Sequence, residues 1–507
     1  MPFLTMQGIT KRFPGVVAND QVDLDVARGE IHALVGENGA GKSTLMKILY
    51  GLEQPDSGQI TLEGAPIVVP NPQAAIRLGI GMVHQHFQLV PSLTVAENVA
   101  LGHEIRSGLF VKREAMNERV AELSRTFGLK VEPRARVADL SVGVRQRVEI
   151  LKLLYCDARL LILDEPTAVL TPQEVDGLFE VIQRLVSEGR TAIFITHKLH
   201  EVKTICARAT VLRRGKVIGT VNVADTTPRQ IAQMMVGAEV EDVRRTPEHQ
   251  VGATLLEVQG VSADDDRSLP ALKDVSFTVC GGEIVGVVGV EGNGQHELLE
   301  VLIGLRRLKG GQIRIDGRDC TQVSARARRG MGMGLIPEDR NAEGLSKDLT
   351  IWENLIATRY HTAAQSTYGV LKLGTIAEEA ADLMRTFDVR AVDADVTVGT
   401  LSGGNAQKIV IARELAGSPR VLIAAQPTRG LDIGAAHFVH EQLLRLRGQG
   451  IGILLISTDL DELMAVCDRF VVLFEGRIIG AVDAGEVSRE GLGLLMAGHA
   501  LSEEARA

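Results

Sequence analysis

One glycine-rich segment occurs twice in this chain, and its two copies differ in chemistry. Residues 36–43 read Gly-Glu-Asn-Gly-Ala-Gly-Lys-Ser, and residues 289–296 read Gly-Val-Glu-Gly-Asn-Gly-Gln-His. The glycines are kept, whereas Gln295 and His296 stand where the first copy has Lys42 and Ser43. A repeat with so long a period predicts two whole domains rather than a solenoid. We expect these two domains to be unequal in function.

Further matches define the extent of the repeat. Three short stretches of the first half recur in the second: 29–31 with 282–284, 140–143 with 401–404, and 164–167 with 425–428. The spacing of matching positions grows along the chain, which predicts an insertion in the second copy within 359–375. Charged residues and proline crowd together between 240 and 254 without apolar periodicity, as in a linker. We therefore predict a first domain over 1–240, a linker over 241–253 and a second domain over 254–507.

Composition limits the class of protein. The 507 residues carry 55 Lys and Arg against 64 Asp and Glu, a net charge of −9 that argues against a nucleic-acid binder. No apolar run approaches the ~20 residues of a membrane helix, and the first residues do not resemble a signal peptide. The five cysteines form no CxxC pair, so we expect reduced thiols in the cytosol rather than disulfides or a zinc site.

Short Val, Ile and Leu runs alternate with helical patterns in each copy. Residues 31–35 and 160–163 are typical of buried parallel strands, and residues 43–52 and 173–188 are typical of helices. This alternation predicts an α/β sheet that binds ligands at the carboxyl ends of its strands.

The first glycine-rich segment has the chemistry of a phosphate-binding loop. Glycines let backbone N–H groups between Asn38 and Lys42 point inward, where the start of a helix adds partial positive charge. Lys42 would neutralise nucleotide phosphates, and the Ser43 hydroxyl would bind Mg²⁺. The predicted binding segment consists of Gly36, Glu37, Asn38, Gly39, Ala40, Gly41, Lys42, Ser43 and Thr44.

Two acids and two further polar residues follow apolar strands. Asp164 and Glu165 end the strand over 160–163, where a metal ion would offset their repulsion. Asp164 is the predicted Mg²⁺ ligand, and Glu165 is the predicted group that polarises the attacking water. His197 is expected to contact the γ-phosphate, and Gln85 to contact Mg²⁺ or the water. We predict Lys42, Gln85, Glu165 and His197 as the catalytic residues.

Together these segments resemble the ATP-binding subunits of ABC transporters over essentially the whole chain. The resemblance implies an α/β fold with two tandem P-loop ATPase domains. Each would have a mixed, mainly parallel sheet with flanking helices and an α-helical subdomain. The implied cofactors are ATP and Mg²⁺.

In this family two domains pair head to tail, and each ATP lies between the P-loop of one domain and the signature segment of the other. The resemblance assigns Ser402, Gly403 and Gly404 as the signature and Asp432 as a D-loop acid. These four residues would complete the first site. The second site would combine a valine-containing signature at 140–144 with altered positions, namely Gln295, His296, Glu338, Ala425, Gln426 and Asp459. The resemblance therefore implies one hydrolytic site and one degenerate site.

Other segments leave two interpretations open. Phe13 either stacks on adenine or packs in the core. The segments 87–95 and 339–351 would receive the permease, although their apolar residues Leu89, Val90, Leu349 and Ile351 could equally belong to the core. We expect the arginine cluster Arg326, Arg328 and Arg329 to be a solvated helix face.

The resemblance is to the fused ATP-binding subunits of simple-sugar and nucleoside importers. Residues 82–87, 140–150 and 426–432 favour the nucleoside branch, which depends on a basic membrane lipoprotein. Import of simple sugars such as ribose or galactose is the alternative, and a non-transport tandem ABC ATPase or an ATP-gated scaffold is an alternative of another class. The implied partners are two transmembrane permease subunits and an extracytoplasmic substrate-binding lipoprotein, without nucleic acid. The implied location is peripheral, on the cytoplasmic face of the cell membrane.

Overall fold

The computed structural model of the chain divides into two compact units, Met1–Val240 and Glu241–Ala507. The structure describes residues 2–84, 87–108, 110–167, 170, 172–196, 198–237, 245, 250–290, 292–496 and 498. Within these ranges no helix is both long and apolar enough to cross a lipid bilayer. All five cysteines are free.

Unit 1 contains twelve described strands and eight described α-helices. The strands are β1 Pro2–Phe13, β2 Val16–Ala27, β3 Ile31–Gly36, β4 Ser57–Leu62, β5 Ala65–Ile67, β6 Ile80–Val83, β7 Arg106–Ser107, β8 Phe110–Val111, β9 Leu160–Asp164, β10 Thr191–Ile195, β11 Arg208–Arg213 and β12 Lys216–Asn222. The helices are α1 Lys42–Leu49, α2 Pro72–Arg77, α3 Val95–Val99, α4 Arg113–Phe127, α5 Val142–Tyr155, α6 Pro172–Ser187, α7 Leu199–Ile205 and α8 Pro228–Val236.

Unit 2 repeats this order of elements. Its strands are β13 Thr254–Asp264, β14 Pro270–Cys280, β15 Ile284–Val288, β16 Gly310–Ile315, β17 Arg318–Asp319, β18 Met333–Ile336, β19 Ser366–Thr367, β20 Val370–Leu371, β21 Val421–Ala425, β22 Gly452–Ile456, β23 Arg469–Phe474 and β24 Arg477–Asp483. Its helices are α9 Gln295–Ile303, α10 Ala325–Gly330, α11 Ile351–Ile356, α12 Leu373–Thr386, α13 Gly403–Ala416, α14 Ile433–Gly448, α15 Leu460–Val466 and α16 Arg489–Met496.

Each unit is built on a six-stranded, mainly parallel sheet. The strand order is β12-β11-β3-β10-β9-β6 in unit 1 and β18-β21-β22-β15-β23-β24 in unit 2. Five strands of each sheet run parallel, and one edge strand, β12 or β24, is antiparallel. Every residue of β3, β9 and β10 is buried, because helices cover both faces of a parallel sheet. The predicted α/β class and mixed, mainly parallel sheet are confirmed.

Each unit also has a four-stranded antiparallel sheet that the sequence analysis did not predict. Its order is β2-β1-β4-β5 in unit 1 and β14-β13-β16-β17 in unit 2. Strands β1 and β2 are interrupted by bulges, which weaken the alternation of apolar and polar residues on which a strand prediction depends. Residues of this sheet and of α1 share one apolar core.

The predicted helices and strands differ from the observed ones only at their ends. The helix predicted over 43–52 is α1, Lys42–Leu49, and the helix predicted over 173–188 is α6, Pro172–Ser187. The strands predicted over 31–35 and 160–163 each continue for one residue, to Gly36 and Asp164.

The extra residues of unit 2 are spread over several loops, so the single insertion expected within 359–375 is only partly right. Matching strands β6 and β18 begin 253 residues apart, at 80 and 333. The helices α3 and α11 begin 256 residues apart, at 95 and 351, and the strands β7 and β19 begin 260 apart, at 106 and 366. The second copy therefore lengthens both before and after α11.

The arginine cluster is not a solvated face. Arg328 is 2% exposed, and its Nη1 donates to the carbonyl oxygens of Val301 and Leu302, both at 2.6 Å. These carbonyls belong to the last turn of α9, where C=O groups lack the usual N–H partner four residues further on and a cation is favourable. Arg329 pairs with buried Glu414 at 2.5 Å. Only Arg326 is exposed, as predicted.

Candidate functional site

The loop between β3 and α1 has a backbone that only glycine tolerates at its end. Gly41 has a φ of 102°, and a Cβ built there would lie 2.3 Å from the carbonyl oxygen of Ala18. The Asn19 side chain donates to the Gly41 carbonyl at 3.2 Å and holds the loop against β2. Because this position is glycine, the chain can turn sharply here and present its N–H groups at the start of α1.

Lys42 lies inside this loop. Its side chain is buried, with the residue 6% exposed, and its Nζ donates to the carbonyl oxygens of Gly36 at 2.6 Å and Glu37 at 3.0 Å. Burial lowers the pKa of Lys42, an effect opposed by the carboxylates of Glu165, Asp164 and Glu37. A phosphate group entering the loop would meet a cation that water no longer screens.

Two carboxylates lie at the end of β9. Asp164 is 7% exposed, and burial, together with the charge of Glu165, raises its pKa to about 6 against the attraction of Lys42 and Lys47. Glu165 has a φ of 47°, a left-handed conformation that residues with side chains rarely adopt, and its N–H donates to the Ile195 carbonyl at 2.9 Å. Such strain is typical of functional positions.

The donor set suits Mg²⁺ bound together with a nucleotide. Within the described ranges, no three His, Cys, Asp or Glu side chains come together as a metal site. A magnesium ion at Asp164 and Ser43 would therefore complete its shell with phosphate oxygens and water, as is usual for this ion. The raised pKa of Asp164 fits this interpretation, because a divalent cation would favour its ionised form.

A buried glutamate that the sequence analysis missed joins two loops of this site. Glu201 on α7 is 3% exposed and accepts hydrogen bonds from Thr167 Oγ1 at 2.6 Å and Thr196 Oγ1 at 2.8 Å. Thr167 follows the Asp164–Glu165 pair, and Thr196 precedes the predicted His197. Glu462 in unit 2 is buried in the same way and accepts from Ser457 Oγ at 2.5 Å. A sequence signal for Glu201 does exist, because the matching position of the second copy, Glu462, is also a glutamate.

The remaining predicted residues of unit 1 have different outcomes. Gln85 and His197 lie outside the described residues. Phe13 is 40% exposed, which excludes the core-packing alternative, and Lys11 Nζ lies 5.3 Å from the centre of its ring. Ser43 is exposed and Thr44 half-buried at the start of α1, where a ligand can reach them.

The second glycine-rich loop keeps the backbone arrangement of the first, and the side chain of Gln295 occupies the inside of the loop. Gln295 Nε2 donates to the Val290 carbonyl at 2.9 Å, the position equivalent to the Glu37 carbonyl that receives Lys42. Gln295 Oε1 accepts the N–H of Asn293 at 3.1 Å. The amide of Gln295 thus holds this loop together as the ammonium of Lys42 does in the first loop. It brings no charge, however, and it occupies the N–H of Asn293, which a bound phosphate would need.

The surroundings of this second loop are acidic and internally paired. His296 Nε2 lies 3.5 Å from Glu300, and its Nδ1 lies 4.0 Å from Glu338. Glu338 also pairs with Arg429 at 2.5 Å. At the end of β21, Ala425 and Gln426 take the places of the two acids, although Gln426 keeps the left-handed backbone with a φ of 45°. Unit 2 has therefore preserved the geometry of the site without its chemistry.

The two signature segments also differ. Ser402 caps α13 by accepting the N–H of Asn405 at 3.4 Å, and Asp432 caps α14 by accepting the N–H of Ala435 at 2.7 Å. Ser141, the counterpart of Ser402, makes no such cap on α5. Gly403 and Gly404 form the first turn of α13, so their N–H groups are unused by the helix.

A parallel sheet that ends in a glycine-rich loop, a buried lysine and two acids defines a P-loop nucleotide-binding protein. The family model described as "ABC transporter" matches residues 19–168 and again 272–429. The chain belongs to the ABC transporter family, in two tandem copies, and the predicted class of ABC ATPase is confirmed.

Three curated relatives match nearly the whole chain. The guanosine import ATP-binding protein NupO of Bacillus subtilis is 46% identical, and the alignment covers 99% of both chains. The glucose import ATP-binding protein TsgD13 of Haloferax volcanii is 46% identical, covering 98% of this chain and 96% of that protein. The nucleoside import ATP-binding protein NupA of Lactococcus lactis is 44% identical, covering 99% of both.

Proposed function

We propose that this chain is the ATP-hydrolysing subunit of an importer and that it couples hydrolysis to uptake of nucleosides. The observation that carries the proposal is the intact set of Lys42, Asp164 and Glu165 in unit 1, within a chain matched over nearly its whole length by import ATP-binding proteins. Guanosine and nucleoside import in two of these relatives support the nucleoside. Glucose import in another keeps simple sugars as the second candidate.

ATP would bind at the first glycine-rich loop. The N–H groups of the loop and Lys42 would hold the phosphates, Phe13 would stack on the adenine, and Ser43 with Asp164 and Gln85 would hold Mg²⁺. Bound Mg²⁺ supplies charge neutralisation for the leaving phosphate. Glu165 would accept a hydrogen bond from the attacking water and so orient it. His197 would contact the γ-phosphate. Glu201 would keep the loops that carry these groups in place.

The proposed active site is completed by the second signature. Ser402, Gly403 and Gly404 at the start of α13, with Asp432, would meet the γ-phosphate in the closed state. The altered set around Gln295 and Gln426 would form a site that does not hydrolyse ATP.

The proposed partners are two transmembrane permease subunits and an extracytoplasmic substrate-binding lipoprotein. The chain would bind the permeases at the cytoplasmic face of the cell membrane. Exposed Val90 and Leu349 are candidates for this contact, whereas Ile351, fully buried in unit 2, is a core residue.

Two measurements test the proposal. Glu165→Gln should reduce phosphate release by roughly 10²–10⁴-fold while ATP still binds, because the positioned base is lost and the loop is intact. An ATP-gated scaffold would instead show negligible release from the unaltered assembly.

Co-purification with the permeases, followed by uptake of labelled nucleosides, pentoses and hexoses into vesicles, identifies the substrate. Uptake of sugars without nucleosides would overturn the nucleoside assignment.

A further inference from the structure

Unit 2 contains a cavity of about 380 Å³ at the C-terminal ends of α12, α13 and α14. A volume of this size falls within the range of small-molecule sites. Apolar side chains form most of its wall, and three polar residues join them, namely Arg445, Gln449 and Ser418. All of the lining residues belong to unit 2. The cavity lies at the opposite end of α13 from Ser402 and the signature glycines.

In unit 1 a side chain of the protein itself occupies the matching place. Arg190 lies over the Phe127 ring, with its guanidinium carbon 5.0 Å from the ring centre, and its Nε donates to the Ala158 carbonyl oxygen at 3.2 Å. Only 16% of the Arg190 side chain is exposed. In the repeat, Ile451 and Phe387 stand where unit 1 has Arg190 and Phe127. The shorter, uncharged Ile451 leaves open in unit 2 the space that Arg190 fills in unit 1.

The charges at this place are balanced in unit 1. Arg190 lies 3.6 Å from Glu188 and 3.9 Å from Asp157. Arg184 lies 3.4 Å from the same Glu188. Two cations therefore face two anions, and the cluster satisfies its own charges.

Unit 2 keeps only one of these four charges. The positions that match the two acids and Arg190 are uncharged, namely Ser418, Gln449 and Ile451. Arg445, the counterpart of Arg184, is exposed, and its guanidinium carbon lies 6.0 Å from the centre of the Phe387 ring. Among the residues that the structure describes, no carboxylate forms an ion pair with Arg445. The cavity is thus lined by an aromatic ring and by a cation without a counter-charge.

The helix ends around the cavity do not cancel this cation. The carbonyl oxygens of Leu383, Leu415 and Leu446, one in the last turn of each helix, each accept a backbone N–H group from the residues that follow. Such bonds offset the partial negative charge that free carbonyl groups would bring to the end of a helix. The side chain of Arg445 therefore determines the charge that the cavity prefers.

We infer that this cavity binds a small carboxylate with an aromatic or branched apolar body. The body would pack on Phe387, Leu446 and Ile451, and the carboxylate would pair with the guanidinium of Arg445, whose donors match two carboxylate oxygens. A cation in the manner of Arg190 is disfavoured, because Arg445 is already present and the two acids are missing. The inference goes beyond the proposed function and does not depend on ATP hydrolysis.

Three probes with the same aromatic body test the charge preference: phenylacetate, phenylacetamide and phenethylamine. Each is titrated into the full chain without nucleotide, and binding is followed by saturation-transfer NMR. We expect phenylacetate to bind roughly 10-fold more tightly than phenylacetamide, because its hydrogen bonds to Arg445 are ionic, and phenethylamine to bind most weakly. Equal binding of the acid and the amide would show a merely apolar cavity. That result, tighter binding of the amine, or no saturable binding of phenylacetate would overturn the inference.

Substitutions locate the bound probe on the chain. Arg445→Gln removes the cation at an exposed position and should weaken phenylacetate binding roughly 10-fold, to the level of the amide. Arg184→Gln, the matched control in unit 1, should bind phenylacetate as the wild type does. Undiminished binding by Arg445→Gln, or an equal loss in Arg184→Gln, contradicts the assigned site.

Ile451→Arg fills the cavity with the side chain that unit 1 carries at this position. Binding of both phenylacetate and phenylacetamide should be lost, because the space over Phe387 is then occupied. Since Ile451 packs against the core of unit 2, the melting temperature is measured to confirm folding, and Arg445→Gln decides the question if this variant is unfolded. A folded Ile451→Arg that still binds both probes would overturn the inference. Lack of ATP hydrolysis by the wild-type assembly would contradict the proposed function alone, so the two failures are distinguishable.

Discussion

Individual buried ionisable residues determine the charge of the first site, and Asp164 is the clearest example. Its carboxyl group is buried beside Glu165, and its pKa is about 6 in the folded chain against an ordinary value of 3.8. A carboxyl group whose pKa rises on folding binds its proton more tightly in the folded state. Stability is therefore lost as pH rises from about 4 to about 6, and the loss persists above that range.

Asp164→Asn should remove this cost. In the absence of nucleotide and metal, we expect the variant to be more stable than wild type by about 2–3 kcal/mol at pH 8, and equal to it near pH 4. Thermal unfolding across this pH range measures the difference. Asp459→Asn, which alters an acid that caps α15 in unit 2, is the control and should not be stabilising. A stability difference that does not change with pH would contradict the assigned cause.

At the scale of elements, the capping of the two signature helices is unequal. Ser402 caps α13, whereas Ser141 makes no side-chain cap on α5. Ser402→Ala should lower stability by about 1 kcal/mol, and Ser141→Ala should have almost no effect. Melting temperatures of the two variants give the comparison, and equal losses would rule out the difference in capping.

Glu201 connects α7 to two loops of the proposed active site, so its substitution should affect both stability and turnover. Glu201→Gln keeps the size of the side chain but weakens the bonds from Thr167 and Thr196, at a cost of about 1–3 kcal/mol. We expect a lower kcat with a nearly unchanged KM for ATP, because the phosphate loop is not altered. The matched variant Glu462→Gln should lose stability without losing kcat. Equal effects on kcat would show that Glu201 is structural only.

The sequence predicted the parts of the site that lie within short segments. The glycine-rich loop, the acids after β9 and the altered residues of unit 2 are readable because each follows a strand in a fixed local pattern. Glu201 was missed and Arg328 was misassigned because their partners lie on other elements, and charged residues are normally exposed. The antiparallel sheets were missed because bulges break the alternation that would have revealed them.

At the scale of the whole molecule, duplication has produced two units with one frame and different chemistry. Both keep a left-handed backbone directly after the strand that lies next to one edge of the main sheet, at Glu165 after β9 and at Gln426 after β21. Unit 1 holds the lysine and the acids, and unit 2 holds the capped signature helix. We propose that hydrolysis at the loop of unit 1 depends on the signature helix of unit 2.

A matched pair of glycine substitutions tests this claim most directly. Gly404→Asp and Gly143→Asp each add a carboxylate to the first turn of a signature helix, in unit 2 and unit 1. A new Cβ would lie 3.0 Å from the Cβ of Ala435 at Gly404 and 2.0 Å from Glu174 Oε1 at Gly143, so ATP binding is measured for both variants to show that they are folded. Phosphate release by the assembled transporter should fall roughly 10²-fold or more in Gly404→Asp and remain near the wild-type rate in Gly143→Asp. Full activity in Gly404→Asp, with or without loss in Gly143→Asp, would contradict the account.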